Sequence, residues 1–166
     1  MSISEAGRTS EGAGDTVSQE LDASGLTHLM GYATTRASIE LRKTFSRHMD
    51  PLGLKVVEFS ILVLVASNAR VNQKRIGQAL DISAPNLAVT LDRMVERGWV
   101  ERVRSTEDRR AQLVHLTVKG RELVQRAQKI AATMEGPALS MLSAAERALL
   151  IELLFKVVSG KGSRRK

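Results

Sequence analysis

Residues 71–123 read VNQKRIGQALDISAPNLAVTLDRMVERGWVERVRSTEDRRAQLVHLTVKGREL, and their punctuation divides them into two short helices, a hairpin and the start of a longer helix. Asn72 is a good N-cap for a helix over 73–80. Asp81-Ile82 breaks that helix, and Ser83 caps a second one running to about Arg97. Pro85 falls in the first turn of this second helix, where a missing N–H costs nothing. Leu87, Leu91, Met94 and Val95 form its inner face, and Gly98 suits the left-handed position just beyond its end. Trp99-Val100-Glu101-Arg102-Val103 alternates as a strand does, and so do Gln112, Val114 and Leu116 across a polar loop longer than a tight turn requires. Thr117 then caps a helix in which Leu123, Ala127, Ile130 and Met134 keep heptad-like spacing.

Two short helices joined by a tight turn and followed by a two-stranded hairpin make a winged helix-turn-helix. The fold class read from the sequence is therefore mainly α, with the winged unit at 54–116 and helices to either side. The second short helix is slim enough to enter a major groove, with side chains at its N-terminal end reaching base edges. Those side chains are Ser83, Pro85, Asn86 and Thr90: Asn can pair bidentately with adenine, Ser and Thr can contact bases or phosphates, and Pro can touch a thymine methyl. Asn72, Gln73, Lys74 and Arg75, at the start of the preceding helix, are placed to contact phosphate and set register. The loop between the strands supplies Arg104, Arg109 and Arg110, which can reach phosphates or enter a narrow minor groove. Asp108 repels phosphate, and its place among those arginines is explained if it pairs with one of them and braces the loop. Each element alone is weak evidence, since many helix pairs and charged hairpins bind nothing; their order and spacing together point to double-stranded DNA.

Outward from this unit, Leu26, Met30, Ala33, Ala37, Leu41, Phe45 and Met49 recur at spacings of three or four, the stripe of an amphipathic helix over about 21–49. Asp50-Pro51-Leu52-Gly53 ends it. A helix of that length needs a partner along it, a first sign of dimerisation. Val56 to Ala66 is apolar except at Glu58 and Ser60, and periodicity alone leaves helix and strand both open there. Ser143 and Glu146 form a capping box for a last helix whose apolar residues cover more than one face. A terminal helix of that kind is expected to be buried between subunits. The organisation expected is thus dimerisation helices at 21–53 and 117–159 around the winged unit, with tails at 1–20 and 160–166.

Those tails are low in apolar residues and read as disordered. The chain of 166 residues has a formal charge of +7, but five positive charges lie at 156–166, while 1–20 carries Glu5, Glu11, Asp15 and Glu20 against Arg8, a net −3. A basic tail adds nonspecific attraction to nucleic acid rather than a site. With no cysteine there is no disulfide framework, thiolate metal site or thiol redox switch. No apolar run is long enough to span a bilayer and the N-terminus has no secretory pattern, so the expected location is cytoplasmic, without a membrane partner. His28 and His48 would stand about 200° apart on one helix, and His115 has no acidic partner at ligand spacing, so no metal is expected. Catalytic and nucleotide-binding motifs are missing, so neither enzymatic activity nor a cofactor is expected.

The stretch 71–123 resembles the MarR family of bacterial transcriptional regulators, most specifically in LDRMVERGWVER (91–102) and EDRRAQLVHLT (107–117). The likeness covers the winged core over about 54–123 and, more loosely, the helices from about 26 to 158. The family's Asp-x-Arg wing motif falls on Asp108 and Arg110. The resemblance implies helix for 56–66 and a triangular homodimer built by the N- and C-terminal helices, its two wings astride a pseudo-palindrome. Two-fold symmetry then sets the recognition helices roughly 34–36 Å apart. It also implies release from DNA by a small aromatic or phenolic acid, bound between the long first helix and the 56–66 helix. Tyr32, Arg36, Arg47 and His48 are the polar residues expected to meet such an effector, with Phe59 as an apolar wall. The sequence thus reads as a homodimeric, effector-responsive repressor. The alternative is a winged-helix module that binds a protein partner without sequence-specific DNA binding, and the arginines of the wing favour DNA.

Overall fold

The computed structural model of the chain describes residues 21–104 and 112–159. The tails at 1–20 and 160–166 and the wing-loop residues Asp108, Arg109 and Arg110 lie outside the described residues.

Where the apolar stripe predicts one helix, the chain forms two, α1 (Ser24–Thr27) and α2 (Met30–Met49). They are separated at His28-Leu29, where Leu29 is extended at φ −87°, ψ 118°. Gly25 and Gly31 flank the break, each costing a helix about 1 kcal/mol relative to alanine, and no side chain caps either junction. His28 and His48 therefore do not share a helix. A 3₁₀ turn at Asp50–Leu52 closes α2, and Gly53 follows in the left-handed region at φ 61°.

Val56–Ser67, the run that periodicity left open, is helix α3, as the resemblance implied. It buries Glu58, Ile61, Leu62 and Val65, which accounts for its lack of a polar face. Helix α4 (Gln73–Leu80) starts at Asn72, whose Oδ1 accepts the N–H of Arg75 at 2.9 Å. Asp81 makes the turn at φ 52°, and Ile82 N–H donates back to the Gly77 carbonyl at 3.0 Å. Helix α5 (Ala84–Glu96) begins at Ser83, but the Ser83 hydroxyl makes no capping bond; proline in the first turn already removes one of the N–H groups that a cap would serve. Leu87, Leu91 and Met94 are fully buried, whereas Val95, expected on the same inner face, is 38% exposed.

Strands β1 (Val100–Arg104) and β2 (Gln112–Leu116) pair antiparallel, with Val100 opposite Leu116 and Arg104 opposite Gln112. A third short pairing was not anticipated: Asn72 bridges Leu113, and Val114 N–H donates to the Val71 carbonyl at 2.8 Å. It ties the start of α4 to the hairpin. One continuous core, including Met49, Leu54, Ile61, Leu62, Ile76, Leu87, Leu91, Met94 and Val100, runs beneath these elements.

Helix α6 (Val118–Met134) is capped by Thr117, whose Oγ1 accepts from Gly120 N–H at 3.0 Å and donates to the Gly98 carbonyl at 2.6 Å. The expected capping box starts α7 (Ala144–Ser159): Ser143 N–H donates to Glu146 Oε2 at 2.8 Å, and Glu146 N–H to Ser143 Oγ at 3.2 Å. No residue of α7 is buried in the protomer, although Ile151, Phe155 and Val158 are 56%, 66% and 64% exposed apolar side chains. No described helix is long and apolar enough to cross a membrane.

Candidate nucleic-acid interface

Helix α5 has an inner and an outer side, and burial decides which residues stand on each. Leu87, Leu91 and Met94 hold the inner side against the core. Pro85, Asn86, Val89, Asp92 and Arg93 are exposed on the outer side. Thr90, read from the sequence as a base-contacting residue, is 9% exposed and turned inward. Its hydroxyl donates to the Asn86 carbonyl at 2.9 Å, a local bond that leaves no donor for a base. Val89 and Arg93, three and seven residues after Asn86, are exposed on the same half of the helix.

At the start of α4, three of the four residues expected to meet phosphate also serve the fold. Asn72 is the N-cap, the Gln73 amide donates to the Ala84 carbonyl at 3.4 Å, and Arg75 Nη1 donates to the Arg70 carbonyl at 2.8 Å. These bonds position the α4–α5 pair while leaving Arg75 exposed. Lys74 is exposed as well, as are Ser83 at the head of α5 and Arg104 at the end of β1.

The hairpin is held to α5 by a charge pair the sequence reading did not foresee. Arg102 of β1 donates from Nη1 to Asp92 Oδ1 at 2.6 Å. Asp92 has Ala88 and Glu96 four residues to either side, so no cation of its own helix can answer it at i±4. That lack was the sequence signal for a partner on another element.

Behind the interface, Arg97 joins several elements at the end of α5. Its Nη1 donates to the Gly53 carbonyl at 2.8 Å and stands 3.8 Å from Glu58 Oε2, while its guanidinium lies 4.4 Å from the centre of the Trp99 ring. Glu58 is 2% exposed and also accepts the Lys55 N–H at 3.0 Å, so the buried carboxylate is met on two sides.

A separate cavity of about 880 Å³ lies between α2, the segment 135–139 and α7. Ala37, Leu41, Phe45, Leu150 and Leu154 give it apolar walls, and Arg36, Arg42, Glu40 and Glu135 add charge of both signs. Of the residues expected to meet an effector, it includes only Arg36. Arg47 is on α2 but eleven residues further on, about 16 Å along the axis, and exposed. Tyr32 and His48 are half-buried and do not line the cavity, with His48 Nδ1 2.8 Å from the Thr44 carbonyl. Phe59 does not line the cavity; its ring is tilted 58° to that of Phe45, 5.7 Å away. Helix α3 contributes only Val56, while its Ile61, Leu62 and Val65 are buried in the core. Among the described residues no group of three His, Asp or Glu side chains could hold a metal ion.

Comparison with known proteins agrees with this geometry. A MarR family profile matches residues 52–111. YpoP, an HTH-type transcriptional regulator of Bacillus subtilis (strain 168), is 30% identical over 123 residues, covering 70% of this chain and 87% of that protein. The transcriptional repressor CouR bound to a 23-mer DNA duplex superposes with a TM-score of 0.79 at 34% identity, over 84% of this chain and 99% of that one. The same repressor bound to p-coumaroyl-CoA gives a TM-score of 0.76 at 32% identity, over 84% and 98% of the two chains.

Proposed function

The chain belongs to the MarR family of winged-helix transcriptional regulators, and from that premise we propose that it works as a homodimeric repressor whose hold on a pseudo-palindromic operator is loosened by a small-molecule effector. The observation that carries the DNA-binding part is the outer side of α5, presented beside a hairpin fixed by the Asp92–Arg102 pair. Ser83, Pro85 and Asn86 at the head of α5, with Val89 and Arg93 further along, form the base-reading set. Asn72, Gln73, Lys74, Arg75 and Arg104 meet the backbone, and Arg109 and Arg110 are assigned to the same contact, with Asp108 as their counter-charge.

Dimerisation is supported by α7, which makes few contacts with the rest of its own chain while exposing Ile151, Phe155 and Val158. A two-fold partner on that surface sets the two α5 helices at successive major grooves. The effector reading is supported by the cavity beside α2 and α7, whose apolar walls and Arg36 suit an aromatic ring carrying an anionic group. Its ligand belongs to the aromatic acids or their coenzyme A thioesters, the latter class being the one bound to CouR.

The test is binding to duplexes from the promoter regions beside the protein's own gene, across a salt series. Contacts to ~6–10 phosphates lower affinity by roughly 10³–10⁵ between 50 and 200 mM salt. Salt-independent binding, or none to any duplex, sinks the reading. Aromatic carboxylates and aryl-coenzyme A thioesters are then screened for thermal stabilisation together with release of DNA.

A further inference from the structure

The outer side of α5 is short of positive charge where it matters most for reading bases. From Ser83 through Asp92 there is no lysine or arginine, and the first cation on the helix is Arg93. With Leu87, Thr90 and Leu91 turned inward, the exposed side chains of the first two turns are Ala84, Pro85, Asn86 and Val89, of which Val89 is the largest apolar group away from the helix head. The carboxylate of Asp92, next along the helix, is answered by Arg102.

Val89 is the anomaly in that set. It is 61% exposed, so it adds little to the core, and a β-branched side chain lowers helix propensity. Its isopropyl group faces solvent on the side of α5 that also presents Pro85 and Asn86. The cavity and the apolar face of α7 lie elsewhere and do not include it. Pro85 and Asn86 flank it at four and three residues' separation, hence as neighbours on one side of the helix.

We infer that this surface reads an A·T-rich half-site core, with Val89 packed on a thymine 5-methyl group and Asn86 paired to an adjacent adenine. The inference rests on the DNA-binding reading above and deepens it by naming the base composition. Guanine is recognised in the major groove most often by Arg or Lys directed at O6 and N7, and the first two turns of α5 offer neither. The thymine methyl is the apolar group on the major-groove edges of the base pairs, so it is the partner an exposed isopropyl group can desolvate. The Asn86 amide matches the N7 acceptor and N6 donor of adenine.

The full chain is used to select duplexes from a randomised library. The selected operator is then remade with each thymine in turn replaced by deoxyuridine, which lacks only the methyl group. A·T pairs are expected at the core of each half-site, with one thymine per half-site whose replacement weakens wild-type binding about threefold to fivefold, the scale of one buried methyl group. Val89→Ala is expected to bind the parent operator more weakly by a similar factor. It should no longer distinguish thymine from deoxyuridine at that position, while keeping any discrimination at others. Val89→Thr, which keeps the shape but adds a hydroxyl, is expected to lose part of the same discrimination. A G·C core in the selected half-sites overturns the inference, as does unchanged discrimination in Val89→Ala. Failure of the wild type to select any duplex overturns the DNA-binding reading itself, an outcome distinct from tight binding that ignores the methyl groups.

Discussion

Arg102 Nη1 sits 2.6 Å from Asp92 Oδ1, so the hairpin and the outer side of α5 are joined by a charge-assisted hydrogen bond. The side chains are 30% and 54% exposed, and a pair that open to solvent contributes little to folding. Its consequence is orientation: the strand leading to the wing is held at one angle to the helix, and a carboxylate near the DNA path is neutralised. Arg102→Ala is therefore expected to shift thermal unfolding by no more than ~3 °C, the scale of about 1 kcal/mol in a domain of this size. Operator affinity is expected to fall roughly tenfold, about 1.4 kcal/mol. Exchanging the charges, with Asp92→Arg and Arg102→Asp together, should recover part of that loss. Fluorescence anisotropy and a thermal melt on the same samples decide it, and unchanged affinity in Arg102→Ala would refute the orienting role.

Gly120 is required by packing, not by its backbone angles. A Cβ added there would stand 1.9 Å from the Trp99 carbonyl oxygen and 2.9 Å from its carbonyl carbon. Both are main-chain atoms, so α6 would have to move off the start of β1. Gly120→Ala is expected to cost about 3 kcal/mol and to lower the melting temperature by roughly 10 °C. A melt within 2 °C or so of wild type would show that α6 shifts freely.

Much of this fold was legible in the sequence because its signals are local. Asn72, Gly98, Thr117 and the Ser143–Glu146 box are read from a few neighbouring residues, and each stands at the helix end it marked. What was not legible depended on contacts far along the chain. Thr90 reads as a polar groove residue until its neighbours place it against the core. Arg102 finds Asp92 ten residues away across two elements, and Val71 pairs with a strand more than forty residues on. The break at Leu29 was missed because an apolar stripe survives a short interruption that preserves its phase. Of the residues proposed to meet an effector only Arg36 borders the cavity, and residue type alone does not say which side chains border one.

Arg97 is expected to matter for stability more than its partial exposure suggests. Removing it leaves the carboxylate of Glu58, 2% exposed, with the Lys55 N–H but without the cation 3.8 Å away. It also removes the cation from the face of Trp99. Breaking a fully buried pair costs 3–5 kcal/mol; with the arginine side chain 46% exposed and 3.8 Å away, about 2 kcal/mol is expected for Arg97→Ala. Chemical denaturation measures it. Glu58→Gln in the same background should restore part of the loss, because the buried group is then neutral.

The start of α7 should respond to acid. The Ser143 backbone N–H, and after it the Ser143 hydroxyl, hold the Glu146 carboxyl below 4.5, the ordinary value for a glutamate. A depressed folded-state pKa means that the stabilisation is fully present above the unfolded value and is lost as pH falls through the folded one. Amide exchange in the first turn of α7 is therefore expected to be protected at neutral pH and to rise below 4.5, after correction for intrinsic rates. Glu146→Gln should flatten that pH dependence. A first turn equally protected on both sides of the window would leave the capping box without a charge component.

The apolar surface of α7 is where the proposed homodimer can be broken without touching the winged unit. Ile151, Phe155 and Val158 follow one another at spacings of four and three, so they share a stripe. Burying each against a partner stabilises by roughly 1.5–3 kcal/mol. A carboxylate placed in that stripe must be desolvated or force the subunits apart. Phe155→Asp is expected to sediment as a monomer at micromolar concentration, where the wild type is expected to be a dimer. Because Phe155 is 66% exposed in the protomer, the core around Leu87, Leu91 and Met94 should stay folded. Operator affinity is expected to fall at least a hundredfold, since two half-sites then bind independently instead of through one linked body. Sedimentation velocity, circular dichroism and anisotropy on one preparation separate the outcomes. A Phe155→Asp dimer with full affinity would move the interface off α7, and an unfolded monomer would show that α7 supports the core of its own chain.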